Sequence, residues 1–117
     1  MRKINKEFKE MFDKLAKDLH DKKEVKSGVH KSKQNRVLRV EDNDLCLRYH
    51  GHVMVSYYTV DNSLFLDSCG HGCTPSTKEL LNTFCPRGYR FYSKGFISYA
   101  ETPTSTFSQC FAIYNYL

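Results

Sequence analysis

Residues 66–85, LDSCGHGCTPSTKELLNTFC, constrain the fold of this chain more than any other stretch. The alternation of Ser63, Leu64, Phe65, Leu66 and Asp67 marks the end of a strand. Gly70 and Gly72 then permit backbone angles that a Cβ resists, so the chain can reverse within a few residues. Thr74 followed by Pro75 predicts an N-cap with proline at the first helical position. Ser76 with Glu79 three residues later predicts a capping box. Leu80, Leu81 and Phe84 give the helix an apolar side, and Pro86 ends it at about Cys85. A strand that turns straight into a helix needs both a sheet to join and a face to cover. The rest of the chain must supply them.

On the N-terminal side, Ile4, Phe8, Met11, Phe12, Leu15 and Leu19 recur at helical spacing and predict an amphipathic helix over residues 4–20. Glu10–Lys14 and Asp13–Lys17 stand in the favourable i,i+4 order on its polar face. The stripe is expected to pack on this protein's own sheet, with docking to a partner as the alternative. Mixed charge on the polar face argues against an anionic lipid surface. Residues 22–36, KKEVKSGVHKSKQNR, have little apolar content and read as a flexible basic arm.

From Val37 the period becomes two. Residues 37–40 and 45–49 read as a hairpin around Glu41-Asp42-Asn43-Asp44, whose side chains readily bond their own backbone. His50-Gly51-His52 is the next turn, and residues 52–60 the strongest strand, with Val53, Val55, Tyr57 and Thr59 on one face. Asp61-Asn62 leads into residues 63–67. After Pro86, Lys94-Gly95 marks a tight hairpin between residues 88–93 and 96–100. Residues 101–105 are a polar loop, and residues 107–116 a last strand. The chain therefore reads as α+β: a twisted antiparallel sheet of about six to seven short strands, one short central helix and an N-terminal amphipathic helix. Its organisation is 1–21 helix, 22–36 basic arm and 37–117 β-rich domain.

Charge is uneven. Residues 1–39 hold 13 Lys and Arg against six acids, a net of +7, whereas residues 40–117 hold five against seven, a net of −2. Lys22, Lys23, Lys26, Lys31, Lys33, Arg36 and Arg39, with Arg90 from the later hairpin, are the candidate contacts for nucleic acid or an acidic partner. Tyr89, Arg90, Tyr92 and Tyr99 mix aromatics with a cation; such a set can stack bases, but it also fits cross-strand packing. No apolar run approaches the roughly 20 residues that span a membrane, so no membrane partner is expected. The charged N-terminus has no apolar segment of a signal peptide, and five cysteines make an odd number. Reduced thiols in a cytoplasm are the expectation.

Cys69, His71, Cys73 and Cys85 are the candidate zinc ligands, since thiolate and imidazole suit a tetrahedral site. Their Cys-x-His-x-Cys spacing is not a paired structural-zinc spacing, and a fourth ligand must come from Cys85, Cys46 or a distant histidine. A second reading makes Cys73 a nucleophile at a helix N-terminus, with His50 or His52 as base if the fold brings them there. The third is that the cysteines are small buried apolar residues and His71 a solvated turn residue. Neither chemical template fits well, so no metal, cofactor or enzymatic activity is expected.

The order of strands, the LDSCGHGCTPSTKELLNTF stretch, the RFYSKGFISYA hairpin and a final strand resembles a widespread family of small bacteriophage accessory proteins of uncharacterised function. Its hallmark is a strand ending in Leu-Asn-(Ser/Thr)-Gly-Gly, a Thr-rich turn, then Thr-Lys and a short helix with Asn near its middle. Leu66, Asp67, Ser68, Gly70, Thr74, Thr77, Lys78, Asn82 and Phe84 match it, across roughly residues 36–117. Cys69 and His71 depart from it, and the turn is one residue longer. The resemblance implies a phage protein at work in the cytoplasm of a host bacterium and brings no catalytic residues. The function expected is non-enzymatic binding that inhibits or redirects host machinery, in the manner of an anti-CRISPR. The partner would be a host protein or protein–nucleic-acid complex. Direct nucleic-acid binding through residues 22–39 is the alternative, and a zinc- or cysteine-dependent activity at residues 69–73 the third.

Overall fold

The computed structural model describes residues 2–69 and 74–117. The predicted turn glycines Gly70 and Gly72, and the candidates His71 and Cys73, lie outside the described residues. The described elements are α1 (Lys3–His20), β1 (Gly28–Lys33), β2 (Arg36–Glu41), β3 (Asp44–Tyr49), β4 (His52–Tyr58), β5 (Ser63–Asp67), α2 (Pro75–Phe84), β6 (Arg90–Lys94), β7 (Ile97–Glu101), β8 (Thr106–Phe107) and β9 (Cys110–Ile113). The class is α+β, with both helices where the sequence placed them. The strands form two antiparallel sheets: six in the order β1-β2-β3-β4-β5-β9, and three in the order β6-β7-β8.

Two-residue turns build the meander. Gln34-Asn35, Asp42-Asn43 and His50-Gly51 all take positive φ at both positions, the geometry whose twist matches paired strands. Asn and Asp tolerate this region and Gly adopts it freely, so the turns follow from local sequence. The β6–β7 turn is Gly95-Phe96, with Lys94 paired to Ile97; the expected Lys94-Gly95 marker lies one residue early.

The segment read as a flexible arm holds a strand. β1 pairs with β2 from Gly28–Val40 to Lys33–Arg36, with a bulge that leaves His30 out of register. Only Val29 in it is large and apolar, so no period-two signal was present. Lys31 takes the place of an apolar residue: its ammonium lies 5.3 Å from the Phe8 ring and 3.8 Å from Glu7.

A second bulge changes the strongest strand. Leu47 faces Val55 but Arg48 faces Val53, which makes Met54 the extra residue. Val53 therefore leaves the face it was expected to share with Val55 and Tyr57, and Met54 enters the core.

The core lies where the helices meet the larger sheet. Phe8, Phe12, Leu15, Ala16 and Leu19 of α1 and Leu80, Leu81 and Phe84 of α2 are buried with Leu38, Leu45, Leu47, Tyr57, Leu64 and Leu66. The α1 stripe thus packs on its own sheet. Phe12 meets Phe84 edge-to-face at 5.2 Å. The expected last strand is divided: β8 pairs with β7, and β9 crosses to pair with β5. Phe111 of β9 joins the two sheets, stacking on Phe91 at 5.3 Å and on Tyr89 at 5.4 Å.

Candidate functional site

The N-terminus of α2 is formed by Thr74, whose hydroxyl accepts from the Thr77 amide at 3.3 Å, with Pro75 next in line. The predicted Ser76–Glu79 capping box is not made. Glu79 instead accepts from the Arg2 backbone amide at 2.6 Å, tying the start of α1 to α2. This turn of helix faces the β3–β4 turn across a cleft of about 310 Å3. Thr74, Ser76 and Thr77 line one side, and Tyr49, His50, His52 and Met54 the other. The fold therefore brings both histidines of the His50-Gly51-His52 turn to the residues that follow Cys73.

Tyr49 links this cleft to a buried cation. The Tyr49 and His50 rings are 4.3 Å apart, and the Arg36 guanidinium sits 4.8 Å from the Tyr49 ring. Arg36 is 2% exposed, donates from Nε to Asn5 Oδ1 at 2.8 Å and from Nη1 to the Gln34 carbonyl at 2.9 Å. Its Nη2 has no hydrogen-bond partner. Burial pulls its pKa below the ordinary arginine value, partly offset by Tyr49 and Glu79.

This corrects the reading of Arg36 as a phosphate-contacting cation: its charge points into the protein. The other basic candidates are dispersed. Lys22 and Lys23 share a cleft of about 570 Å3 with His20, Asn43 and Val60, at the C-terminal end of α1. Lys23 also lies 3.8 Å from Asp18. Lys26 is exposed, and its carbonyl oxygen is 2.6 Å from His30 Nε2. Lys31 lies over Phe8, while Lys33 lines a shallow recess with Arg2 and Lys3. Arg39 pairs with Glu41 at 3.2 Å. Arg90 belongs to the other sheet and bonds Glu101 at 2.6 Å, which holds its pKa above the ordinary value. No single groove collects them. The sequence read a contiguous basic arm, but strand pairing turns successive residues to opposite faces.

The cysteine candidates separate as well. The Cys69 thiol donates to the Val53 carbonyl at 3.1 Å, and burial, with help from Asp67, raises its pKa. Cys85 follows the other end of α2, about 15 Å along a ten-residue helix, and burial pushes its thiol up to about 12. Both sites favour the thiol over the thiolate that a metal or a nucleophilic step requires. Among the described residues no group of three His, Cys, Asp or Glu side chains converges on a common point.

The outward face of β6 and β7 gathers the other candidate side chains. Tyr92 and Tyr99 stack at 5.5 Å, and the Arg90 guanidinium lies 4.6 Å from Tyr92 on the same ladder. Tyr92 packs against both Tyr99 and Arg90, and Arg90 is held by Glu101. This is cross-strand packing of the kind that stiffens a hairpin. At its tip Phe96 is 98% exposed with φ +67°, and Ile97 is 54% exposed. Sequence reading passed over Phe96, because a turn beginning at Lys94-Gly95 makes it the first residue of the next strand.

Protein-family models, curated proteins and solved structures contain no match to this chain. No helix among the described residues is long and apolar enough to cross a membrane.

Proposed function

We propose that this protein is a non-catalytic binding protein that engages a protein partner through the tip of its β6–β7 hairpin. The observation that carries the reading is Phe96. A two-residue turn of this geometry favours Asn or Gly, and a phenylalanine there is held in a left-handed conformation with its ring in water. Both features cost stability, and such outliers cluster where function requires them. Ile97 and Phe107 add exposed apolar surface on the same small sheet, and aromatic anchors of this kind dominate protein interfaces. The hairpin beneath is stiffened by its Arg–Tyr–Tyr ladder.

The phage-accessory resemblance supplies the class of partner: a host protein whose activity the complex inhibits or redirects, as an anti-CRISPR does. Direct nucleic-acid binding has less support, because Arg36 is buried and Lys31, Arg39 and Arg90 are engaged within the fold. The test is a photo-crosslinker at position 96, followed by titration of the crosslinked host protein, purified, against wild type and Phe96→Asn. A one-to-one complex weakened at least tenfold by Phe96→Asn, with the melting temperature kept, is the expected result. Equal binding by both chains, or no discrete crosslinked partner, overturns the reading.

A further inference from the structure

The six-stranded sheet is covered on one side only. Leu38, Leu47, Val55, Leu66 and Phe111 form one row across it, and all are buried among the helices and the small sheet. The adjacent row, Val29, Arg39, Cys46, Ser56, Phe65 and Ala112, is paired strand to strand across all six and points the opposite way. Val29 is 53% exposed, and Cys46, Phe65 and Ala112 are only half-buried, so nothing among the described residues closes this face. An antiparallel sheet with one wet face ordinarily turns polar side chains to it. This one turns mostly valine, cysteine, phenylalanine and alanine, and an uncovered apolar surface of that kind marks an interaction site.

Two charges on the face decide its occupant. Arg48 lies two residues past Cys46 on β3, and Asp67 two residues past Phe65 on β5. Both strands run antiparallel to β4 between them, so the two charges stand level on either side of it. Two strand spacings, about 10 Å, hold them apart within one chain. Neither makes an ion pair among the described residues. Arg48 gives one donor to the Gly51 carbonyl at 3.3 Å, and Asp67 accepts from the Cys69 amide through Oδ1 at 2.8 Å.

We propose that this face is an interface between two copies of the chain, stacked sheet on sheet about a two-fold axis that runs along β4. Such an axis sets β3 of each copy on β5 of the other. Each Arg48 then meets the Asp67 of the partner subunit, and each Phe65 covers the Cys46 of the partner subunit. The contact is isologous, so both ion pairs form together. Small side chains at Cys46, Ser56 and Ala112 let two sheets approach to the usual ~10 Å. Six strands span about 24 Å and five residues about 17 Å, an area in plan of roughly 400 Å2 that suits a reversible dimer. The inference does not rest on the hairpin tip, which belongs to the other sheet and stays free in such a dimer.

Sedimentation of the full chain over a concentration series tests this, with thiol alkylation of the wild type as a footprint. The expected result is a monomer–dimer equilibrium that weakens as salt is raised. Alkylation of Cys46 and Cys110, both on this face, should slow as dimer forms, while that of Cys85, at the end of α2, stays unchanged. Arg48→Glu sets like charges together at both contacts and should weaken the dimer at least ~tenfold, with the melting temperature of the monomer kept. Phe96→Asn should dimerise as wild type does. A chain that stays monomeric throughout overturns the proposal. So does a dimer that leaves Cys46 and Cys110 unprotected, one that Arg48→Glu leaves as tight as wild type, or one that Phe96→Asn abolishes.

Discussion

Arg36 and Asn5 meet across 31 residues of sequence, and neither is where its type predicts. A cation at the end of a basic run was expected in water, and an asparagine is a polar side chain that seldom lies fully in a core. In the fold both are buried, because β2 places Arg36 on the sheet face that α1 covers. A buried guanidinium loses stability with each donor left unpaired, and with Nη2 already unpartnered the bonds from Nε and Nη1 are those that remain to be lost. Asn5→Ala should therefore lower unfolding free energy by roughly 2 kcal/mol, the scale of a hydrogen bond to a buried charge. Arg36→Lys should do about the same, since an ammonium cannot reproduce the planar fork that reaches Asn5 Oδ1 and Gln34 O together. The two substitutions remove one interaction, so the double variant should fall short of their sum in urea denaturation. Full additivity would mean that the pair contributes nothing as a pair.

α2 acts as a substitute strand at the open edge of the small sheet. Its Asn82 donates from Nδ2 to the Phe91 carbonyl at 3.0 Å and accepts from the Phe91 amide at 2.6 Å, satisfying the backbone that β6 would otherwise expose. Asn82→Ala should cost roughly 2 kcal/mol for two part-buried bonds, with hydrogen exchange at the Phe91 amide accelerating more than exchange in β3. The hairpin turn makes the opposite prediction. Phe96→Asn relieves a left-handed phenylalanine, so stability should stay level or rise by a few tenths of a kcal/mol, to about 1 at most, while partner binding falls. A calorimetric melt separates these outcomes; clear destabilisation would make Phe96 a structural residue. The helices and the β2–β5 meander were legible because each rests on a local signal: a 3.6-residue stripe, a Thr-Pro cap, or Asp-Asn and His-Gly turns. β1 was not, because Lys31 does by cation–π contact what a β-branched residue does elsewhere.

Among the described residues, the thiols and phenols whose titration the fold moves all move in one direction. Burial raises the pKa of Cys46, Cys69, Cys85, Cys110, Tyr57 and Tyr116. Each then holds its proton longer folded than unfolded, so the unfolded chain binds fewer protons as pH rises. Stability contributed by these groups is fully present below the ordinary thiol value of 9.0 and declines as pH climbs from there toward about 12, where Cys85 ionises in the fold. Melting temperature should therefore fall steadily between about pH 8.5 and 10.5, and Cys85 should react with alkylating reagents later than Cys46, Cys69 and Cys110. A flat profile over that interval would place these side chains in a wetter environment than the structure gives them.

The sequence by itself determined what nearest neighbours decide: the two helices, the meander between Val37 and Asp67, the break at Pro86 and the α+β class. Periodicity and capping act over a few residues, and no distant contact was needed to express them. Only the tertiary structure decided the pairing of residues 28–33 as a strand, the division of the last strand between two sheets, the burial of Arg36 and the meeting of His50 and His52 with the start of α2. Each of these depends on groups tens of residues apart sharing a desolvated space, and local pattern carries no record of which charge will be covered or which turn will face which helix.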